Sequence, residues 1–103
     1  MKLKDQVTII IGGARGIGEA IAHTFSKEGA SLILVDLEKM KPELDGVVQS
    51  ITQQGGKAAA ITLDCSDDRQ VNALVDDTVR RFGKIDILVN SAGFRGPLVP
   101  VTE

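Results

Sequence analysis

The sequence predicts an α/β fold, a doubly wound parallel sheet of four strands in the order 3-2-1-4. Three observations carry that expectation. Four short apolar runs alternate with three stretches whose apolar residues recur at helical spacing. Each connection between strands contains such a stretch, whereas an antiparallel α+β domain would need hairpin turns there. Parallel strands joined this way cross over right-handed, which places helices on both faces of the sheet.

The first strand is Val7-Thr8-Ile9-Ile10-Ile11, ended by Gly12-Gly13. A β-branched run without alternation suits a strand buried on both sides. Ile17, Ala20, Ile21, Thr24 and Phe25 then mark a helix, with Lys27-Glu28-Gly29 as its polar end and glycine stop. Ser31-Leu32-Ile33-Leu34-Val35 is the second strand, with Asp36 at its carboxyl end.

Leu44, Val47, Val48 and Ile51 mark the second helix, preceded by Pro42 and closed by Gly55-Gly56. The third strand, Ala58 to Leu63, is the weakest, because alanine has little strand preference. Ser66 or Asp67 can cap a third helix with the stripe Val71, Leu74, Val75, Thr78, Val79, Phe82. Ile85 to Val89 is the fourth strand and runs into Asn90-Ser91-Ala92-Gly93. Phe94 to Glu103 holds Gly96, Pro97 and Pro100 without a clear period and reads as a loop. On this reading the fourth strand is an uncovered edge, a surface that invites self-association.

Bulk properties narrow the function classes. The chain has 103 residues, 43% of them hydrophobic, and a formal net charge of -2. That length fits one small domain or a piece of a larger one, and the apolar fraction argues against disorder. The charge gives no footprint for nucleic acid or a membrane surface; Lys39 and Lys41 are flanked by Glu38 and Glu43. Cys65 stands alone, so neither an intrachain disulfide nor a cysteine-built zinc site can form. The opening apolar run is too short to span a bilayer and lacks a cleavage signal, so the expected location is cytoplasmic.

Gly12-Gly13-Ala14-Arg15-Gly16-Ile17-Gly18 lies between the first strand and the first helix. Glycines there let the backbone turn tightly and approach a diphosphate, while amides at the helix start face its charge. The loop of nucleoside-triphosphate enzymes requires lysine and a hydroxyl after the last glycine, and Glu19-Ala20 follow instead. The G-x-G-x-x-G dinucleotide spacing fails at Ile21, which leaves Gly12-x-x-x-Gly16-x-Gly18. A bland alternative is that these glycines only let helix pack on strand. Asp36, eighteen residues after Gly18, is placed for an adenosine ribose, near the ~20-residue separation such acids show. Its carboxylate would accept from the ribose hydroxyls and repel a 2′-phosphate, favouring NAD over NADP. Arg15 pulls the other way, since a loop cation can pair with that phosphate.

These residues together resemble the short-chain dehydrogenases/reductases. Ile11 to Gly18 resembles their T-G-x-x-x-G-x-G loop, Leu63-Asp64 their adenine-contacting aspartate, and Leu88 to Gly93 their L-V-N-N-A-G segment. The resemblance covers essentially the whole chain and implies a Rossmann-type α/β fold, here incomplete relative to the family. It implies that Gly12, Gly16, Ile17 and Gly18 line the diphosphate and that Asp36 meets the ribose, with Arg15 of the same loop counted among the cofactor-binding residues for its charge. It further implies Asp64 and Cys65 beside the adenine, and Asn90, Ala92 and Gly93 toward the nicotinamide side. Ile11 replaces the family's threonine and Ser91 its second asparagine.

The family's chemistry uses a serine, a tyrosine and a lysine four residues beyond the tyrosine. This sequence contains no tyrosine, so no catalytic residue and no metal ligand is assigned. His23, the only histidine, sits mid-helix and reads as a surface residue. The expected organisation is a dinucleotide-binding segment over 1–93 and a loop over 94–103 leading toward an absent second half. The implied function is alcohol or carbonyl hydride transfer with NAD, less so NADP, and a small-molecule substrate, the chain itself being inactive alone. A stand-alone nucleotide-binding module and a nonfunctional remnant remain open. A methyltransferase using S-adenosylmethionine shares the acid after strand two but lacks the Asn90-to-Gly93 segment.

Overall fold

The computed structural model describes residues 3–14, 16–64 and 66–90, and the backbone of Val99 and Pro100. The elements run β1 (Val7–Ile11), α1 (Gly16–Lys27), β2 (Ser31–Asp36), α2 (Lys41–Gln53), β3 (Lys57–Thr62), α3 (Asp68–Phe82), β4 (Ile87–Asn90) and β5 (Val99–Pro100). A short 3-10 turn, Glu38–Met40, runs straight into α2 and has no counterpart in the sequence reading.

The strands form one sheet in the order β3-β2-β1-β4-β5. The first four pair parallel, as the helix-bearing connections require. β1 is central because its five residues are buried on both faces and match β2 on one side and β4 on the other. Alternate residues of β1 and β2 feed separate cores. Ile10, Leu32 and Leu34 pack with Ala22 of α1 and with Leu44, Val47 and Ile51 of α2. Ile9, Ile11, Ile33 and Val35 pack on the other face with Leu74 of α3 and with Ile85. One face therefore carries two helices and the other, among the described residues, carries one.

Each helix is bounded by local chemistry. Asp67 caps α3 by accepting from the Arg69 amide at 3.0 Å, which selects Asp67 over Ser66. Gly83 closes the same helix by donating its amide to the Val79 carbonyl at 2.7 Å. Pro42 sits in the first turn of α2, where its missing amide costs nothing.

Of the last ten residues only Val99 and Pro100 are among those described, and they differ from expectation. Phe94 to Glu103 reads as a loop, yet Val99–Pro100 forms a two-residue strand antiparallel to β4, with Leu88 opposite Val99 and Ile87 opposite Pro100. The edge of β4 is thus partly occupied. Proline is compatible with such a position because an edge strand leaves one side of its backbone unpaired. β4 also begins at Ile87, two residues later than the apolar run, although Ile85 is buried ahead of it.

Candidate functional site

All four parallel strands end on one edge of the sheet, at Ile11, Asp36, Thr62 and Asn90. The chain winds from β1 outward to β3 and then returns across to β4, so the order reverses between β1 and β4. Crevices at such a reversal are where open α/β sheets bind ligands. The glycine loop leaves β1 there, and Asn90 lies beside Ile11 in the register of β1 and β4.

The loop is held by the sheet itself. The Gly12 and Gly13 amides donate to the Val35 carbonyl at 2.7 and 3.1 Å, and the Ala14 amide donates to the Asp36 carboxylate at 3.2 Å. Three loop amides that the sequence leaves free for a diphosphate are therefore already engaged. The amides of Gly16, Ile17 and Gly18 lie in the first turn of α1, where no carbonyl four residues back lies within the helix. First-turn amides of this kind are the groups that face an anion at a helix start. Gly16 has a φ of 57°, with open space where a Cβ would lie, so its glycine is required by backbone conformation. Ile17 beside it is 73% exposed, an unusual position for so large an apolar side chain.

Gly13 was not singled out by spacing but serves a distinct purpose. A Cβ there would lie 3.2 Å from the Leu34 Cβ, so glycine lets the loop lie down on β2. Its position as the second of a glycine pair directly after a buried strand was the available signal.

Asp36 stands where the sequence puts it, at the end of β2, but it is nearly enclosed, at 2% exposure. One carboxylate oxygen accepts from Ala14 and the other from the Leu37 amide at 2.8 Å. Each oxygen retains lone-pair capacity for a further donor. The acid thus joins the glycine loop to the end of β2, a tie no sequence pattern reveals.

Beyond Leu37 opens a cavity of about 400 Å³ lined by Leu37, Glu38, Thr62, Leu63, Asp64 and Gln70. Glu38 and Thr62 are hydrogen-bonded to each other. Asp64 accepts from the Ser66 hydroxyl at 2.6 Å and from the Ser66 amide at 3.0 Å. Those two bonds hold its carboxyl below the ordinary value of 3.8. The Asp64 amide in turn donates to Gln70 at 2.9 Å, and the Gln70 side-chain amide donates to Asp67 at 3.2 Å. Gln70 and Glu38 are residues the sequence analysis missed. For Gln70 the signal was present, since Asp67-x-x-Gln70 has capping-box spacing.

Gly12, Gly16, Ile17, Gly18, Asp36, Asp64 and Asn90 are therefore gathered on one edge of the sheet. Arg15, Cys65, Ala92 and Gly93 lie outside the described residues. Among the described residues no cluster of acids and histidine could hold a metal ion, and no helix is long and apolar enough to cross a membrane.

Fold and loop define a doubly wound α/β domain of the Rossmann type. Residues 6–103 match the short chain dehydrogenase family, and the chain belongs to that family. It is 39% identical over 97 residues to the 7alpha-hydroxysteroid dehydrogenase of Escherichia coli K12, covering 94% of this chain and 37% of the relative. A Serratia marcescens short-chain dehydrogenase/reductase mutant superposes with a TM-score of 0.83 at 34% identity, over 93% of this chain and 39% of the other. A metagenomic short-chain oxidoreductase in complex with NADP gives 0.80 at 30% identity, over 85% and 39%. The chain thus spans well under half the length of these relatives, and the shared part is their amino-terminal portion.

Proposed function

We propose that this chain supplies the dinucleotide-binding part of an oxidoreductase that moves a hydride between NAD(P) and a small alcohol or carbonyl compound. The observation that carries the reading is the tie between Asp36 and the glycine loop at the strand-order reversal, beside the 400 Å³ cavity. The residues suit the group. First-turn amides of α1 would face the diphosphate, Asp36 the ribose, and the Leu37-to-Gln70 cavity the adenine, with Asp64 as acceptor. When bound, the dinucleotide supplies the hydride. Residues 1–93 form this binding segment, with Cys65, Ala92 and Gly93 contributing as the family resemblance assigns them and Arg15 as a loop cation, and 94–103 lead away from it.

Between the two dinucleotides we favour NAD. A 2′-phosphate on the adenosine ribose would meet the Asp36 carboxylate and, across Leu37, the carboxylate of Glu38. Both acids oppose it electrostatically. Calorimetry of the chain with each dinucleotide tests the reading. NAD is expected to bind more tightly, and Asp36→Ala to narrow the difference by removing both the ribose acceptors and the repulsion. Equal or tighter binding of NADP by the unmodified chain would show that the loop cation Arg15 decides instead. No saturable binding of either would remove the proposal altogether.

A further inference from the structure

A second cavity lies at the opposite edge of the sheet, where the strands begin. Its volume is about 280 Å³. It is walled by three segments that each lead into a strand: Lys4 and Asp5 ahead of β1, Ser26, Lys27, Gly29 and Ala30 ahead of β2, and Gln54, Gly55 and Gly56 with Lys57 at the start of β3. The glycine loop and Asp36 lie at the carboxyl ends of the same strands, so the two sites are separated by the length of the sheet.

The charge of this cavity sets it apart. Lys4, Lys27 and Lys57 line it from three different segments, and among the described residues Asp5 is the one acid in its wall, the neighbouring Glu28 not lining it. That is a local excess of two positive charges in a chain whose formal net charge is -2. All three lysines are exposed, and none joins the ion pairs formed among the described residues. Two lysines elsewhere are paired: Lys41 with Asp45 at 3.0 Å and Lys84 with Asp86 at 3.1 Å. Ser26 adds a hydroxyl donor to the same wall. Three lysines outside the ion pairs of the described residues, around a concave space with a hydroxyl donor, suit an anion carrying more than one charge.

We infer that this cavity binds a small multivalent oxyanion, a phosphate group or a compact polycarboxylate, at a site independent of the dinucleotide. Phosphate is the simplest member of the class and the probe for it. Because the two sites do not overlap, the anion and a dinucleotide bind the same molecule together. A ligand held by the folded chain alone also raises its melting temperature with ligand concentration.

The test is an amide chemical-shift titration of the whole chain with sodium phosphate, at ionic strength fixed with sodium chloride. Saturable shifts are expected at Ser26, Gly29 and Gly55, with Gly16 and Gly18 unmoved. Lys27→Gln and Lys57→Gln should each weaken binding roughly twofold to fivefold, the range exposed charge pairs support. Asp5→Asn should tighten it by a similar factor, since the opposing charge is lost. Asparagine tolerates the φ of 63° that Asp5 adopts, so that variant keeps the fold. A parallel titration with citrate separates the two members of the class: competition with phosphate assigns the polycarboxylate to the same site, and its absence restricts the site to phosphate. Shifts that stay linear, that sodium chloride reproduces, or that the three variants leave unchanged would overturn the proposal. A melting temperature that phosphate raises equally in the wild type and in the combined Lys27→Gln, Lys57→Gln variant would do the same.

Discussion

Thr8 is the second residue of β1, fully buried, and its hydroxyl has no hydrogen-bond partner among the described residues. A buried hydroxyl left unpaired costs about 1–3 kcal/mol in proteins. Thr8→Val keeps the branched shape and removes the group, so it should stabilise the chain by about 1 kcal/mol in urea unfolding. A loss of stability would mean that the hydroxyl is satisfied in solution. Asp86 presents the opposite case. Its carboxylate accepts from the Val7 amide at 2.7 Å while its own amide donates to the Val7 carbonyl at 2.9 Å, clamping the starts of β1 and β4 together. Burial pushes this carboxyl up, but the Val7 amide and the Lys84 ammonium outweigh it, and the group titrates below its ordinary 3.8. The sign follows from linkage. A depressed folded pKa stabilises the fold above the unfolded value, and that stability is lost as pH falls through the folded value. The deficit of Asp86→Asn relative to wild type, measured by denaturant titration, should therefore be full at neutral pH and shrink below about pH 4. A deficit independent of pH would assign the effect to packing alone.

At the scale of elements, legibility followed burial. β1 and β2 are buried along nearly their whole length, so an uninterrupted apolar run identified each, and the helix-bearing connections fixed their parallel order. β3 was the faintest strand for a physical reason. It is the sheet edge, its residues are only partly covered, and alanine suffices there. The 3-10 turn and β5 were not legible, because three residues and two residues respectively carry no period to read. In the site, the glycine loop and Asp36 were legible from their distance along the chain. The contact between them was not, since a hydrogen bond from Ala14 to Asp36 depends on how β1 and β2 lie side by side. The stripe on α3 was legible but misleading in its extent. Leu74 and Thr78 are buried, whereas Val79 is 40% and Phe82 48% exposed. Leu74→Ala should accordingly cost about 2–5 kcal/mol. Phe82→Ala, at a site already half in water, should cost about 1 kcal/mol or less. Urea midpoints of the two variants make the comparison, and equal losses would show that Phe82 is covered in solution.

On the scale of the whole molecule, the two faces of the sheet are unequally protected. α1 and α2 close one face over a continuous core, while among the described residues α3 alone stands on the other and leaves Val79 and Phe82 facing solvent. β5 meets β4 at only two residues, and the outer side of β3 has no strand beyond it among the described residues. A chain of this size buries a smaller share of its surface than a larger domain does, so its stability surplus is small. Exposed apolar surface and open strand edges then favour association with a second copy. The 103-residue chain should therefore sediment as a concentration-dependent assembly. It should also produce no change in reduced-nicotinamide absorbance with simple alcohols and ketones, because it contains no tyrosine to move the proton that accompanies the hydride. The two expectations have separate causes and separate readouts. Phe82→Lys places a charge on the exposed face and should shift sedimentation toward the monomer while turnover stays at zero. A monodisperse wild-type chain at all concentrations would dispose of the association. Turnover by the purified chain, from a host without a complementing enzyme, would show that another group transfers the proton.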